Sequence, residues 1–203
     1  AALANDVHVA AMGEARFGAG AGAKDFLCIF VGTGIGGAIV QDGELLYGKD
    51  NTAGEIGHAI VVAGGRLCNC GGLGHLEAYS ARTAISRRLV GEIKRGRKTV
   101  LRELDPDIAN KDPLRSDVNI RSNVLASALK AKDPLVTEVV REAGWYLGVG
   151  LASAINILNP DRIVLGGGVI EAMPLIVSEA KASAMDQALP VPGKSAHIVT
   201  SGL

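Results

Sequence analysis

The sequence predicts an α/β domain in which a mixed β-sheet is flanked by helices. Two features lead to this prediction. In the first quarter of the chain, two short apolar segments flank Asp42-Gly43, a dipeptide that is typical of a two-residue β-hairpin and therefore of antiparallel strands. In the last third, a long helix, a strand, a helix and a final strand alternate, which is typical of parallel pairing.

Short apolar segments bounded by Gly, Pro or Asp mark the strands. The clearest is Phe26–Val31, a continuous apolar run that stops at the glycine cluster beginning with Gly32. The complete set of predicted strands is Phe26–Val31, Ala38–Gln41, Glu44–Tyr47, Ala59–Val62, Arg162–Leu165 and Ala196–Thr200.

Longer segments with apolar residues at three- and four-residue steps mark the helices. The strongest stripe lies in Pro134–Leu158, which stops at Asn159-Pro160. The predicted helices are residues 6–16, Leu76–Ile93, Asn119–Lys130, Pro134–Leu158 and Met173–Leu189. The polar residues 96–118 contain two prolines and are predicted as a loop or short-helix insertion.

Composition excludes several classes of protein. The 203 residues are 48% hydrophobic, and Lys plus Arg and Asp plus Glu each number 21, so the net charge is zero. This balance argues against a disordered chain and against a polyanion-binding surface. No apolar run approaches the roughly 20 residues of a membrane span, no secretory signal is recognisable, and three cysteines do not form a disulfide framework. We therefore expect a cytoplasmic protein, with Cys28 buried in the core.

A first glycine loop, which contains Gly32, Thr33, Gly34 and Gly36, lies between two predicted strands. Glycines let backbone amides approach an anion, and the Thr hydroxyl can donate to a phosphate oxygen. No Gly-Lys-Ser/Thr follows, and a hairpin follows instead of a helix, so neither a Walker loop nor a Rossmann turn fits. A phosphate loop between strands is typical of actin-like ATPases; the alternative is a simple glycine-rich hairpin.

A second glycine turn, Gly166–Gly168, follows the predicted strand Arg162–Leu165. Ligands of open α/β sheets bind beyond the carboxyl ends of strands, and glycines there let a flat ring lie against the backbone. The alternative is a strand–helix turn, for which one glycine with positive φ would suffice.

Four metal-ligand residues, His58, Cys68, Cys70 and His75, lie within 18 residues around a glycine-rich loop. Two thiolates and two imidazoles form the ligand set of a closed tetrahedral structural zinc site. The Cys-x-Cys step is shorter than zinc-finger spacing, so an ordinary finger is not indicated. The alternative for each histidine is a surface or core residue.

Three carboxylates are candidates for chemistry on an alcohol: Asp6, Glu55 and Glu77. A kinase needs one carboxylate to accept the hydroxyl proton while Mg²⁺ and amide dipoles hold the phosphates. The alternatives are a helix cap for Asp6 and solvated side chains for Glu55 and Glu77.

Taken together, these segments resemble the ROK family of repressors, open reading frames and kinases. The resemblance covers nearly the whole chain, and its most specific part combines Gly-Glu-Ile-Gly-His with Cys-x-Cys-Gly. The segments that carry it are Asn5-Asp6, Gly13-Glu14, Gly32 to Gly36, Gly54 to His58, Cys68 to Glu77, Asn156 to Pro160 and Ile163 to Val169.

The resemblance implies the actin-like ATPase fold, a ribonuclease H-like domain, and roles for individual residues. Asp6 would be the catalytic base, and Gly167 and Gly168 would lie near the adenosine of ATP. His58 would both ligate a structural zinc and touch the sugar. The residues matching sugar-binding positions are Asn5, Glu55, His58 and Glu77, those matching the phosphate loop are Gly32, Thr33, Gly34 and Gly36, and those matching the zinc loop are His58, Cys68, Cys70 and His75.

Two departures from the family pattern bear on these roles. His75 replaces the family's third zinc-loop cysteine. The family's N-terminal domain, with its Asp-x-Gly-Gly-Thr phosphate motif, is not found, and neither is the usual C-terminal helix. We therefore expect residues 1–203 to be the large domain of a longer two-domain chain and to be inactive alone.

The expected function is ATP-dependent phosphorylation of a hexose, with glucose as the expected substrate and a homodimer as the expected assembly. The alternative is the sugar-sensing domain of a ROK transcriptional repressor, the one case in which nucleic acid would be a partner. A third reading is a metal-stabilised structural module without catalysis. Asp6 and the two glycine loops favour the kinase.

Overall fold

The computed structural model describes residues 6–203, in which five strands form one mixed sheet. The strands are β1 (Phe26–Val31), β2 (Ile35–Gln41), β3 (Glu44–Leu45), β4 (Arg162–Gly166) and β5 (His197–Thr200). Their order is β3-β2-β1-β4-β5. β1 pairs antiparallel with β2 and parallel with β4, and β4 pairs parallel with β5. The predicted mixed sheet, with a hairpin first and parallel strands last, is confirmed.

The helices cover both faces of this sheet. They are α1 (Asp6–Phe17), α2 (Glu77–Ser80), α3 (Arg82–Lys94), α4 (Leu101–Leu104), α5 (Ser122–Lys130), α6 (Pro134–Leu158), α7 (Gly168–Ala172), α8 (Pro174–Gln187) and α9 (Pro190–Ser195). Short 3-10 helices lie at Ile56–His58 and Pro106–Asn110. Within residues 6–203, no helix combines the length and apolarity that crossing a membrane requires.

Alternate residues of β1 enter two cores, because successive side chains of a strand point to opposite faces. Leu27, Ile29 and Val31 belong to the larger core, with residues of α3, α6 and α8. Phe26 and Cys28 belong to the smaller core on the α1 side. Burial raises the pKa of the Cys28 thiol to about 12, so this residue is the inert core cysteine that the sequence predicts.

Glu14 attaches the end of α1 to the chain after β5. The residue is 1% exposed, and its carboxylate accepts hydrogen bonds from the Ala19 and Gly202 amides and from the Ser201 hydroxyl. Burial by itself opposes ionisation, but the three donors together hold the pKa of Glu14 below its ordinary value. Glu14, in its ionised form, therefore ties the end of α1 to the segment after β5.

The predicted strand Ala59–Val62 is wrong. Its Val61 and Val62 amides both donate to the Gly74 carbonyl, and the Leu76 amide donates to the Ala59 carbonyl. The segment pairs with the two ends of a loop and forms one isolated bridge, between Ile60 and His75. Its hydrogen bonds are therefore directed to this loop and not to the sheet.

The predicted helix Leu76–Ile93 is interrupted at Ala81, whose ψ of 157° is extended. The Arg82 amide donates to the Gly32 carbonyl at 2.9 Å and not to the preceding helical turn. The break therefore comes from a tertiary hydrogen bond to the first glycine loop, which local sequence does not show.

Other boundaries shift by a few residues. β2 begins at Ile35, earlier than predicted, and β3 ends at Leu45. α5 begins at Ser122, and the segment predicted as Met173–Leu189 is α8, which ends before the separate helix α9 at Pro190. The one-turn helix α7 was not expected.

Candidate active site

The predicted site segments meet at the beginning of β2, and glycines let them approach closely. A Cβ atom added to Gly36 would lie 2.6 Å from Val7 Cγ2, at the start of α1. A Cβ on Gly37 would lie 2.3 Å from the Gly54 carbonyl oxygen, and one on Gly57 would lie 2.2 Å from the Ile35 carbonyl oxygen. The helix of Asp6, the Gly-Glu-Ile-Gly-His segment and the first glycine loop are therefore neighbours.

The first glycine loop has its carbonyl oxygens tied to α3. The Arg82 amide donates to the Gly32 carbonyl, and the Thr83 hydroxyl donates to the Thr33 carbonyl at 2.9 Å. Within residues 6–203, the amides of Thr33 and Gly34 donate no hydrogen bond to the protein. Unpaired amides of a glycine loop are suited to an anion, so the loop has the groups that a phosphate requires.

The second glycine turn adjoins the first loop. Gly167 has a φ of 92°, and a Cβ on it would lie 2.6 Å from the Val31 carbonyl oxygen at the end of β1. A Cβ on Gly166 would lie 2.5 Å from the Phe30 ring. Two of the three glycines thus have packing reasons, and only Gly168 has open space where a Cβ would be.

A cavity of about 500 Å³ lies beyond the carboxyl ends of β4 and β5. Its lining includes Leu165 and Ile170, which flank the second glycine turn, and Val177 and Lys181 of α8. The volume is in the range of small-molecule pockets. A larger hollow of about 850 Å³ is formed by residues 104–124 and contains none of the predicted site residues.

The four predicted metal ligands come together in one loop. One ligand atom from each of His58, Cys68, Cys70 and His75 lies within 4.8 Å of all the others. Cys70 Sγ is 3.2 Å from His75 Nδ1, and Cys68 Sγ is 3.9 Å from His58 Nδ1. Ligand atoms around tetrahedral zinc are roughly 3.3–3.8 Å apart, given the usual Zn–S and Zn–N bond lengths. The donor set fits that ion, and small side-chain adjustments would bring all four ligand atoms to this spacing.

Glycines and backbone hydrogen bonds shape this loop around the cluster. The Cys68 amide donates to the Gly72 carbonyl at 2.8 Å, and the Gly71 amide donates to the Cys68 carbonyl at 3.0 Å. A Cβ on Gly72 would lie 2.3 Å from the His75 ring. Burial raises the pKa of the Cys68 thiol to about 11, so a bound cation would be needed to hold this side chain as a thiolate at neutral pH.

Glu77 connects the metal loop to the first glycine loop. Its Oε2 accepts from the Ile35 amide at 3.0 Å, and its Oε1 accepts from the Cys68 thiol at 3.4 Å. A Cβ on Gly34 would lie 2.4 Å from Oε2, so the loop glycine leaves room for this carboxylate. The alternative interpretation of Glu77 as a solvated side chain therefore does not hold.

His58 presents its two nitrogens to different partners. Nδ1 faces Cys68 Sγ, while Nε2 lies 3.9 Å from Oε2 of the half-exposed Glu55. One imidazole can thus serve the metal cluster on one side and a polar ligand beside Glu55 on the other.

Asp6 is exposed and opens α1, and its Oδ1 accepts a hydrogen bond from the Val7 amide at 2.8 Å. Its neighbour Val7 packs on Gly36, so the Asp6 carboxylate lies near the start of β2, where the first glycine loop ends. The predicted sugar ligand Asn5 lies outside the described residues.

Sequence reasoning missed Thr83 and Arg82, whose contacts hold the first glycine loop. The one available signal was that a helix follows the Cys-x-Cys segment directly. Residues in the first turn of such a helix can contact a neighbouring loop. The break at Ala81 that brings them there was not visible in the sequence.

The sequence profile of the ROK family matches residues 1–201. The chain belongs to the ROK family. Its fold is the actin-like ATPase fold of that family, as the resemblance implied.

The chain is similar in sequence to ROK proteins of two kinds. A glucokinase of Halalkalibacterium halodurans is 39% identical over 201 residues, which are 98% of this chain and 58% of that protein. The DNA-binding transcriptional dual regulator NagC of Escherichia coli is 30% identical over 201 residues, which are 99% of this chain and 46% of that protein. The chain thus spans about half the length of the curated relatives it matches.

Solved ROK structures show the same division. A glucokinase from Streptomyces griseus, in complex with glucose and AMPPNP, superposes with a TM-score of 0.84 at 29% identity, covering 99% of this chain and 63% of that one. A transcriptional regulator homologous to the Escherichia coli MLC protein superposes with a TM-score of 0.83 at 29% identity, covering 98% of this chain and 47% of that one. Fold similarity therefore does not separate kinase from regulator.

Proposed function

We propose that the protein containing this chain is an ATP-dependent hexose kinase with glucose as its substrate. The observation that carries the proposal is the meeting of three segments at the start of β2. The first supplies an exposed carboxylate at Asp6, the second a glycine loop with unpaired amides, and the third the pair Glu55 and His58. A base, a phosphate cradle and hydroxyl ligands are the parts that phosphoryl transfer to an alcohol requires.

In this mechanism, Asp6 accepts the proton of the sugar hydroxyl. At the same time, the hydroxyl oxygen bonds to the γ-phosphorus and the bond between that phosphorus and ADP breaks. Asn5, Glu55, His58 and Glu77 bind the other hydroxyls. The Thr33 hydroxyl and the unpaired amides of Thr33 and Gly34 hold phosphate oxygens, and Mg²⁺ bound with ATP would offset their charge.

The adenosine of ATP is assigned to the cavity beside Gly167 and Gly168. Its volume of about 500 Å³ and the apolar side chains that form half of its lining, such as Leu165, Ile170 and Val177, support this assignment. The position also agrees with the rule that ligands bind beyond the carboxyl ends of strands.

We assign structural zinc to His58, Cys68, Cys70 and His75. The ion would supply folding energy to a loop that has little apolar surface. By fixing His58 on its Nδ1 side, it would leave Nε2 free to contact the sugar. Four protein ligands leave no open coordination position for chemistry.

A sugar-responsive regulator is the second candidate, favoured by the match to NagC and by the structural similarity to a ROK regulator. The full-length protein should be incubated with ATP and, in turn, glucose, N-acetylglucosamine and N-acetylmannosamine while ADP release is followed. Hexose-dependent ADP release supports the kinase and identifies its sugar. Sugar binding measured by calorimetry without ADP release, together with binding of DNA by the full-length protein, would support the regulator instead.

A further inference from the structure

The side chain of Arg82 lies beside the first glycine loop and has no carboxylate partner within residues 6–203. Its Nη2 donates to Thr33 Oγ1 at 2.6 Å. Its Nε is inaccessible to solvent and donates to no acceptor. Arg66, Arg88 and Arg95, by contrast, each lie within 4.0 Å of a glutamate, and two other arginines without such a partner, Arg102 and Arg162, donate to backbone carbonyls. Arg82 therefore brings to the loop a positive charge that the described protein does not neutralise.

The hydrogen bond to Arg82 determines what Thr33 can do. A guanidinium only donates, so Thr33 Oγ1 is the acceptor and its own proton stays available for another partner. The unpaired amides of Thr33 and Gly34 lie in the same loop. One guanidinium, one hydroxyl and two amides thus form a set of donors, and an anion with several oxygens is the complementary ligand.

The backbone fixes Arg82 in this place. Arg82 is the first residue of α3, and its amide donates to the Gly32 carbonyl at 2.9 Å. The next residue, Thr83, donates through its hydroxyl to the Thr33 carbonyl. These two bonds anchor both the loop and the start of the helix, so the backbone from which the Arg82 side chain extends is fixed beside the loop.

We propose that Arg82 binds the terminal phosphates of the nucleotide, together with Thr33 and the amides of Thr33 and Gly34. This inference deepens the proposed kinase function and rests on it. Arginine suits the task because Nη1 and the second hydrogen of Nη2 remain available to phosphate oxygens while Nη2 bonds Thr33 and Nε is enclosed. Position 82 lies outside the segments that carry the family resemblance, which end at Glu77 in this part of the chain.

The test compares binding of ATP, ADP, inorganic tripolyphosphate and adenosine to the full-length protein by calorimetry. Arg82→Gln should weaken ATP, ADP and tripolyphosphate by about 10–100-fold, as expected for loss of a charge-assisted hydrogen bond, and leave adenosine unchanged. The affinities of Arg82→Lys for the phosphate compounds should lie between those of the wild type and those of Arg82→Gln. The control is Arg95→Gln, which removes the same charge at the other end of α3, about 20 Å away, from a side chain that is 70% exposed; it should bind all four ligands normally.

Unchanged ATP affinity in folded Arg82→Gln would overturn the inference alone, provided that the wild-type protein binds ATP more tightly than adenosine. Equal losses for ATP and adenosine would also overturn it, because they would show a general structural effect. Wild-type protein that binds no phosphate compound would contradict the proposed kinase and this inference together. If Arg82→Gln fails to fold, Arg82→Lys and Thr33→Val decide: normal tripolyphosphate affinity in both would overturn the proposal.

Discussion

His75 is the residue on which the metal assignment depends most, because the family pattern has a cysteine there. Its Nδ1 lies 3.2 Å from Cys70 Sγ, so the imidazole reaches the cluster. We expect about one zinc ion per chain. His75→Cys should retain the metal, since it restores a thiolate, and His75→Ala should weaken its binding, since three ligands remain.

Elemental analysis of protein prepared without chelator measures this. The control is His197→Ala, because His197 is an exposed residue of β5 outside the cluster; its zinc content should equal that of the wild type. Wild-type protein without metal would contradict the assignment.

Glu14 should make stability depend on pH. Its pKa is lowered in the folded protein, so its contribution is present above the unfolded value of about 4.5 and is lost as the pH falls through the folded value. At pH 7, Glu14→Gln should reduce the free energy of unfolding by about 1–3 kcal/mol, because amides and a hydroxyl lose an ionised acceptor.

Urea titrations of both proteins between pH 7 and pH 3 measure this difference, which should shrink below pH 4.5. A difference that stays constant with pH would show that Glu14 acts by shape and not by charge.

At the scale of elements, glycines determine how closely α6 and α8 pack. A Cβ on Gly148 of α6 would lie 2.4 Å from Ser183 Cβ and 2.7 Å from the Ala180 carbonyl oxygen of α8. Gly148→Ala should therefore lower the free energy of unfolding by about 1–3 kcal/mol, because one helix must move.

The matched control is Gly91→Ala in α3, where a Cβ meets no atom within 4 Å. This change should stabilise the protein by up to about 1 kcal/mol, because alanine is the better helix former. Thermal unfolding of both variants tests the contrast, and equal effects of the two changes would contradict it.

Elements with a strong local pattern were predictable, and those set by distant contacts were not. The apolar run of β1 and the stripe of α6 gave both elements at their observed bounds. Ala59–Val62 has the composition of a strand, but its hydrogen bonds go to Gly74. The interruption at Ala81 follows from the bond between Arg82 and Gly32, which lie 50 residues apart in sequence.

The candidate site follows the same division. The sequence named the metal ligands, and the structure brings all four together. It named the glycine loop, the Asp6 helix and the Gly-Glu-Ile-Gly-His segment separately. Their meeting at β2 depends on close contacts of Gly36, Gly37 and Gly57, which only a three-dimensional structure contains.

At the scale of the whole molecule, the candidate catalytic groups lie where one end of the sheet meets α1 and the metal loop. The Gly167 contact with Val31 places the second glycine turn beside the first loop. The cavity lies next to that turn, at the same end of the sheet. Glu77 links the loop to the metal cluster. This arrangement leads to one expectation: Asp6 acts on a sugar bound beside His58 and Glu55, facing phosphates held by the first loop.

The most direct measurement is glucose-dependent ADP release by the full-length protein, compared with its Asp6→Asn variant and with glucose affinity from calorimetry. Asparagine keeps the shape of aspartate but cannot accept the proton, so kcat should fall by roughly two to four orders of magnitude with little change in glucose affinity. Asp42→Asn is the control, because Asp42 lies in the exposed β2–β3 turn with a φ of 52° that asparagine tolerates; its turnover should be normal. Near wild-type turnover by Asp6→Asn would contradict the account.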